Sequence, residues 1–142
     1  MKTAVTKPRE VSRSWYLIDV RGKRLGRVAT QIARLLLGKD KAGWSPSVEM
    51  ADFVVVINAS SLELSGRKEE SKRYWSHSGY PGGLKERGFK EIGPVKALEQ
   101  AVRGMLPKNK LQDLRMGRLK VYAGETHPHE AQQPVEVSIG EG

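Results

Sequence analysis

Five apolar residues stand in a row at Phe53–Ile57, FVVVI, three of them valine. A strand with one wet face alternates apolar and polar side chains. An unbroken β-branched run instead suits a strand covered on both faces, as in a parallel sheet. Parallel neighbours need a crossover connection, and the residues ahead supply one. WYLIDV (15–20) is rich in strand formers and stops at the turn-like RGK. RLGRVATQIARLLLG then sets Leu25, Val28, Ala29, Ile32, Leu35 and Leu36 on one helical stripe. Arg24, Arg27, Gln31 and Arg34 fall on the opposite, solvent face, and Gly38 supplies the stop. Strand, helix, strand is a βαβ unit, and its crossover is expected to be right-handed.

Farther along, Gly93-Pro94 predicts a second helix, with proline at its first position. Val95, Leu98, Val102 and Met105 mark its buried side, Glu99 and Arg103 form an i,i+4 pair outside, and Pro107 ends it. Met105, Leu106 and Leu111 read as core anchors. LKERGFKEIGP reads as a loop between helices, and RLKVYAG (118–124) as a strand with one wet face. No repeat, low-complexity tract or linker interrupts the chain. One α/β domain over residues 1–142 is expected, with basic loops and a short acidic tail.

The charge narrows the function. The chain carries 25 lysines and arginines against 16 acids, a net charge of +9. Residues 1–50 hold 11 cations and 4 acids, and residues 103–120 hold 6 cations and one acid, Asp113. Beyond Lys120 there are 4 acids and no cation. Concentrated positive charge points to a polyanionic partner, while the acidic tail disfavours one locally. The chain contains no cysteine, which rules out disulfides and thiolate metal sites. The opening MKTAVTKPRE has no apolar run, so no secretory signal is expected, and no apolar run approaches the length of a membrane span.

Catalytic motifs are incomplete. Ser76 and His77 are adjacent, and neighbours in a strand point to opposite faces, so they cannot pair as nucleophile and base. SGRK at Ser65–Lys68 matches S-x-x-K without its companion motifs, and neither a P-loop nor G-x-G-x-x-G is present. The RGKRLGR turn could still grip a phosphate through backbone N–H groups with Arg24 or Arg27. His127 and His129, with Glu125 and Glu130 nearby, lack an assured third zinc ligand and read as a solvent-facing or RNA-facing loop. No turnover, metal, cofactor, small-molecule substrate or membrane contact is expected.

RNA binding accounts for more residues. In KRYWSHSGYPGGLKER, Lys72, Arg73, Lys85 and Arg87 offer phosphate contacts and Tyr74 and Tyr80 offer stacking faces. Pro81-Gly82-Gly83 makes a turn that a phosphate backbone can approach closely. In RGMLPKNKLQDLRMGRLK, Lys108, Lys110, Arg115, Arg118 and Lys120 are spaced along a segment broken by proline and glycine. An extended basic segment can follow an RNA groove, so residues 108–120 are expected to carry more affinity than the arginine face of the first helix. Two alternatives stay open on these residues: a phosphate-ligand enzyme built on the βαβ unit, and a free messenger-binding regulator.

WYLIDVRGKRLGRVAT, HSGYPGGLK, RGMLPK, RLKVYAG and THPHEAQQP stand in the order found in the bacterial large-subunit ribosomal protein L-thirteen family. The chain resembles that family from about Lys2 to Val137. The resemblance implies a three-layer α/β/α fold with a four-stranded, largely parallel sheet. It also implies a non-catalytic, cytoplasmic role in the ribosome: binding large-subunit ribosomal RNA beside neighbouring ribosomal proteins, early in assembly. Matched motifs place RNA contacts around Lys39 and Lys41, from His77 to Lys85, and from Lys108 to Lys120. The chain departs from the family pattern at Asp40, where a histidine is common, and at Asn109-Lys110, which leads into Leu111-Gln112-Asp113. Its LKERGFKEIGP loop is also shorter than in many members.

Overall fold

The computed structural model describes residues 12–38, 51–63 and 73–137. The βαβ unit forms as the apolar pattern predicts. Strand β1 (Trp15–Asp19) runs parallel to β2 (Phe53–Ile57) in the register Trp15↔Phe53 through Asp19↔Ile57. Helix α1 (Leu25–Leu37) connects them and buries Leu25, Val28, Ala29, Ile32, Ala33 and Leu36, with Leu35 half-buried. Arg24, Arg27, Gln31 and Arg34 stay in water. Gly38 ends the helix at φ 73°, in the left-handed region a side chain disfavours, and its N–H donates to the Arg34 carbonyl.

Among the described residues, the hairpin strands β3 (Arg73–His77) and β4 (Leu84–Gly88) pair only with each other, antiparallel. A single turn, α2 (Phe89–Ile92), leads into α3 (Pro94–Met105), which starts on its proline as expected. Helix α4 (Leu111–Met116) follows, then β5 (Leu119–Val121) and the two-residue β6 (Val135–Glu136). The main sheet has four strands in the order β5-β2-β1-β6, and every neighbouring pair is parallel. The expected α/β class and four-stranded parallel sheet are what the chain forms.

Strand alternation divides the sheet into two faces. Ile18, Val20, Val54, Val56 and Leu119 point into one core with the apolar stripes of α1 and α3. Trp15, Phe53 and Val55 occupy the other face, and there the segment after β5 lays His129 beside Trp15, with ring centroids 5.3 Å apart. Val55 is fully buried, so β2 is covered on both faces, as its unbroken run requires.

Three local readings are corrected. LKERGFKEIGP is not a loop between helices: it supplies β4 and α2. All but the last residue of β4 are exposed, so no apolar alternation marks the strand in the sequence. Met105 is 47% exposed rather than core, whereas Leu106 is buried. The helix ends between them, and the extended backbone of Leu106 (ψ 151°) turns it inward, leaving Met105 on the rim against Thr30. Leu111 is only half-buried. Finally, residues 108–118 are not extended. Asn109 caps the α4 turn by accepting the Leu111 N–H, and Gln112 donates to the carbonyls of Arg103 and Leu106 at the end of α3. Arg103 forms an ion pair with Asp113 at 3.3 Å, across the two helices.

Candidate nucleic-acid interface

The β3–β4 hairpin is built by its turn. The Ser78 N–H donates to the Gly83 carbonyl and the Gly83 N–H to the Tyr80 carbonyl. Gly79 and Gly82 adopt φ 89° and 76°, and a Cβ on Gly83 would collide with the Ser78 hydroxyl. This GYPGG segment therefore forms a fixed tip, with Tyr80 at its apex and 76% exposed.

Cross-strand partners share a face, which sorts the hairpin side chains. Tyr74↔Arg87 and Ser76↔Lys85 lie on one side, Trp75↔Glu86 and the Leu84 position on the other. Lys85 and Arg87 are exposed and free to meet phosphate. Tyr74 is not an open stacking face. It packs against the main core, and burial raises its phenol pKa. Trp75, which sequence reasoning passed over, is 63% exposed. Its alternation with Tyr74 along the strand was the available signal. Arg73 and His77 are the end residues of β3; their side chains lie outside the described residues, as do Lys39, Lys41 and Lys72 altogether.

The second basic segment divides as well. Lys108 and Lys110 are exposed on the turn before α4. Arg115 is not a surface cation: it is 1% exposed, among the most deeply buried side chains of the chain. Helix α4 folds back on α3, and a six-residue helix so held must turn one residue of each turn inward. Here that residue is the arginine, while Leu114 stays exposed.

Arg118 and Lys120 lie on the sheet face opposite the helices and are half-buried. The Arg118 guanidinium sits 4.9 Å above the Phe53 ring, which stacks on Trp15 at 4.2 Å. His129 continues this row, its ring bonded through Nε2 to the Tyr122 hydroxyl at 2.7 Å, while its backbone N–H donates to His127 Nδ1. The His129 ring thus serves Tyr122, and the His127 ring accepts from the backbone of the same loop. Among the described residues no group of three or more histidine, cysteine or acidic side chains could hold a metal, and no helix is long and apolar enough to cross a membrane.

Burial, then the nearby charges of Lys120 and His127, lower the His129 pKa below its ordinary 6.5. The folded state therefore favours the neutral ring, and below pH 6.5 the unfolded chain takes up the proton first. Stability is expected to fall on acidification from pH 7 through this window. His129→Gln should flatten that dependence in melts across the same range; an unchanged slope would assign it to another group.

At the carboxyl end of β1, Asp19 accepts the Arg21 N–H at 3.0 Å and a bond from Asn58 at 3.1 Å. The Arg21 backbone bond is the main cause that lowers its pKa. The RGK turn before α1 is thereby held by protein contacts.

A family model described as Ribosomal protein L13 matches residues 13–128. The chain is 51% identical to the large ribosomal subunit protein uL13 of Syntrophotalea carbinolica, over 98% of this chain and 100% of the relative. It is 51% identical to the protein of the same name from Psychrobacter arcticus, again over 98% and 100%. The uL13 protein of Pelobacter propionicus is 53% identical over 94% of this chain and 96% of its own.

Proposed function

Since this chain belongs to the ribosomal protein L13 family, we propose that it is a structural constituent of the large ribosomal subunit that binds large-subunit ribosomal RNA and supports early subunit assembly. It is not an enzyme. It works in the cytoplasm, in the ribosome, against RNA and neighbouring ribosomal proteins. The observation that carries this reading is the near-complete, roughly half-identical match to relatives named as large-subunit proteins. The concentrated net charge of +9 supports a polyanionic partner independently.

The side chains proposed to meet RNA are Tyr80 and Lys85 on the hairpin, Lys108 and Lys110 before α4, and Arg118 and Lys120 at β5. Lys39, Lys41, Lys72, Arg73 and His77 belong to the same proposal on sequence grounds. The whole of residues 1–142 is taken as one RNA-binding unit.

A tagged chain expressed in bacteria should co-migrate with large subunits in a sucrose gradient. Recovery only in the soluble top fractions would overturn the ribosomal assignment. Binding of the purified protein to ribosomal RNA should weaken steeply with salt. If about five phosphates are neutralised, the log–log slope should be roughly −3.5 to −4.5. A slope near zero would remove the electrostatic basis for binding.

A further inference from the structure

We propose that the tip of the β3–β4 hairpin holds an unpaired nucleobase of the ribosomal RNA, stacked on the Tyr80 ring, while Lys85 and Arg87 take phosphates of the same single strand. This deepens the ribosomal reading above and rests on it. Tyr80 is 76% exposed, more than any other large apolar or aromatic side chain among the described residues. Its turn is demanding all the same. Gly79 and Gly82 occupy the left-handed region, and Gly83 has no room for a Cβ beside Ser78. Backbone bonds from Ser78 to Gly83 and from Gly83 to Tyr80 close the loop, and Pro81 fixes its own φ. Three glycines and a proline thus hold an aromatic ring away from the core, where closing the hairpin needs no ring. Such rigid presentation lowers the ordering cost of binding.

The surface beside the ring is open to a nucleic-acid chain. At Gly79 and Gly82 an added Cβ would meet no atom within 4 Å, so the tip backbone can be approached closely from outside. Lys85 and Arg87 are exposed on one side of β4, about 7 Å apart, a step that successive phosphates of an extended strand can match. Duplex RNA does not suit this arrangement. Bases in a helix stack on one another, and the A-form major groove is too deep and narrow for side chains to read. A ring at a hairpin tip needs a base splayed out of the helix. Stacking on an aromatic face tolerates every base, so the site selects an unpaired nucleotide rather than a sequence.

The test uses purified large subunits that have incorporated the full chain. Ultraviolet irradiation joins an aromatic side chain to a base stacked on it, and mass spectrometry with RNA sequencing locates both ends. The expected adduct links Tyr80 to a nucleotide that chemical probing of the same subunits finds unpaired. In parallel, the purified chain is titrated with protein-free large-subunit ribosomal RNA. Tyr80→Ala should lower affinity about tenfold with an unchanged salt slope, because stacking releases no counterions. Tyr80→Phe, which keeps the ring, should stay within about twofold of the parent. Lys85→Ala should instead reduce the magnitude of the slope by up to about one. All three should melt like the parent, since both side chains are exposed. An adduct between Tyr80 and a base-paired nucleotide, no adduct at Tyr80, or a Tyr80→Ala chain that binds like the parent would overturn the inference. Failure of the chain to enter large subunits at all would instead sink the ribosomal assignment, so the two failures are separable.

Discussion

Arg115→Ala should lower the free energy of unfolding by about 2–4 kcal/mol, an effect on the scale of removing a large core side chain. The arginine is 1% exposed, so truncation empties space that protein atoms line on every side. Its long apolar stem contributes packing as well as its charge, and that stem is lost together with the guanidinium. Lys108→Ala and Lys110→Ala remove cations from the same segment but from exposed positions, and each should stay within about 0.5 kcal/mol of the parent. Urea denaturation separates the cases, because a shift in midpoint at unchanged slope reports stability. If Arg115→Ala unfolds at the parent's midpoint, the side chain is not the packing element its burial implies. RNA binding by Arg115→Ala should be measured well below its melting temperature, since a loss at higher temperature would report folding.

The second large effect concerns binding. Replacing Lys85, Arg87, Lys108 and Lys110 together by alanine should weaken affinity for ribosomal RNA by roughly two to three orders of magnitude at 0.1 M salt. The magnitude of the salt slope should fall by up to about one for each phosphate contact removed. All four side chains are exposed, so the fold should survive. The comparison set is Arg24→Ala, Arg27→Ala and Arg34→Ala, exposed cations on one side of α1. A straight helix meets few phosphates of a curving backbone, whereas the hairpin and the turn before α4 present cations from projecting positions. The triple change should therefore cost less. If it costs more, RNA lies along α1 and the binding surface belongs on the βαβ unit. The original ground for favouring residues 108–120, an extended backbone, does not hold, because α4 forms there; exposure at Lys108 and Lys110 now carries the expectation.

The elements legible in the sequence are those whose burial repeats with a clean period. Helix α1 has a continuous apolar stripe against an arginine face, and β2 is apolar throughout because both its faces are covered. Helix α3 begins on a proline, a chemical signal independent of periodicity. Elements without a periodic burial pattern were illegible. Strand β4 has exposed side chains on both hairpin faces, and β6 offers only two residues for a pattern.

Site residues divide along the same line. Charge count marked residues 1–50 and 103–120 as basic, and the residues around Lys85 stood out by cations interleaved with aromatics, because such patterns are properties of composition and long cations are seldom buried. Whether a given cation faces water is a tertiary question. Arg115 lies two residues from Asp113, which is exposed and paired with Arg103, yet it points inward because α4 folds back on α3. Tyr74 and Trp75 are both aromatic and adjacent, and only the docking of the hairpin on the main core decides which is buried. The row from Arg118 through Phe53 and Trp15 to His129 joins residues more than a hundred positions apart, brought together by parallel register. Sequence alone determined the α/β class, the βαβ unit and the concentrated positive charge, since each follows from local period or composition. The tertiary structure decided which cations are free and which face of the hairpin is apolar, because those depend on what each residue's neighbours cover.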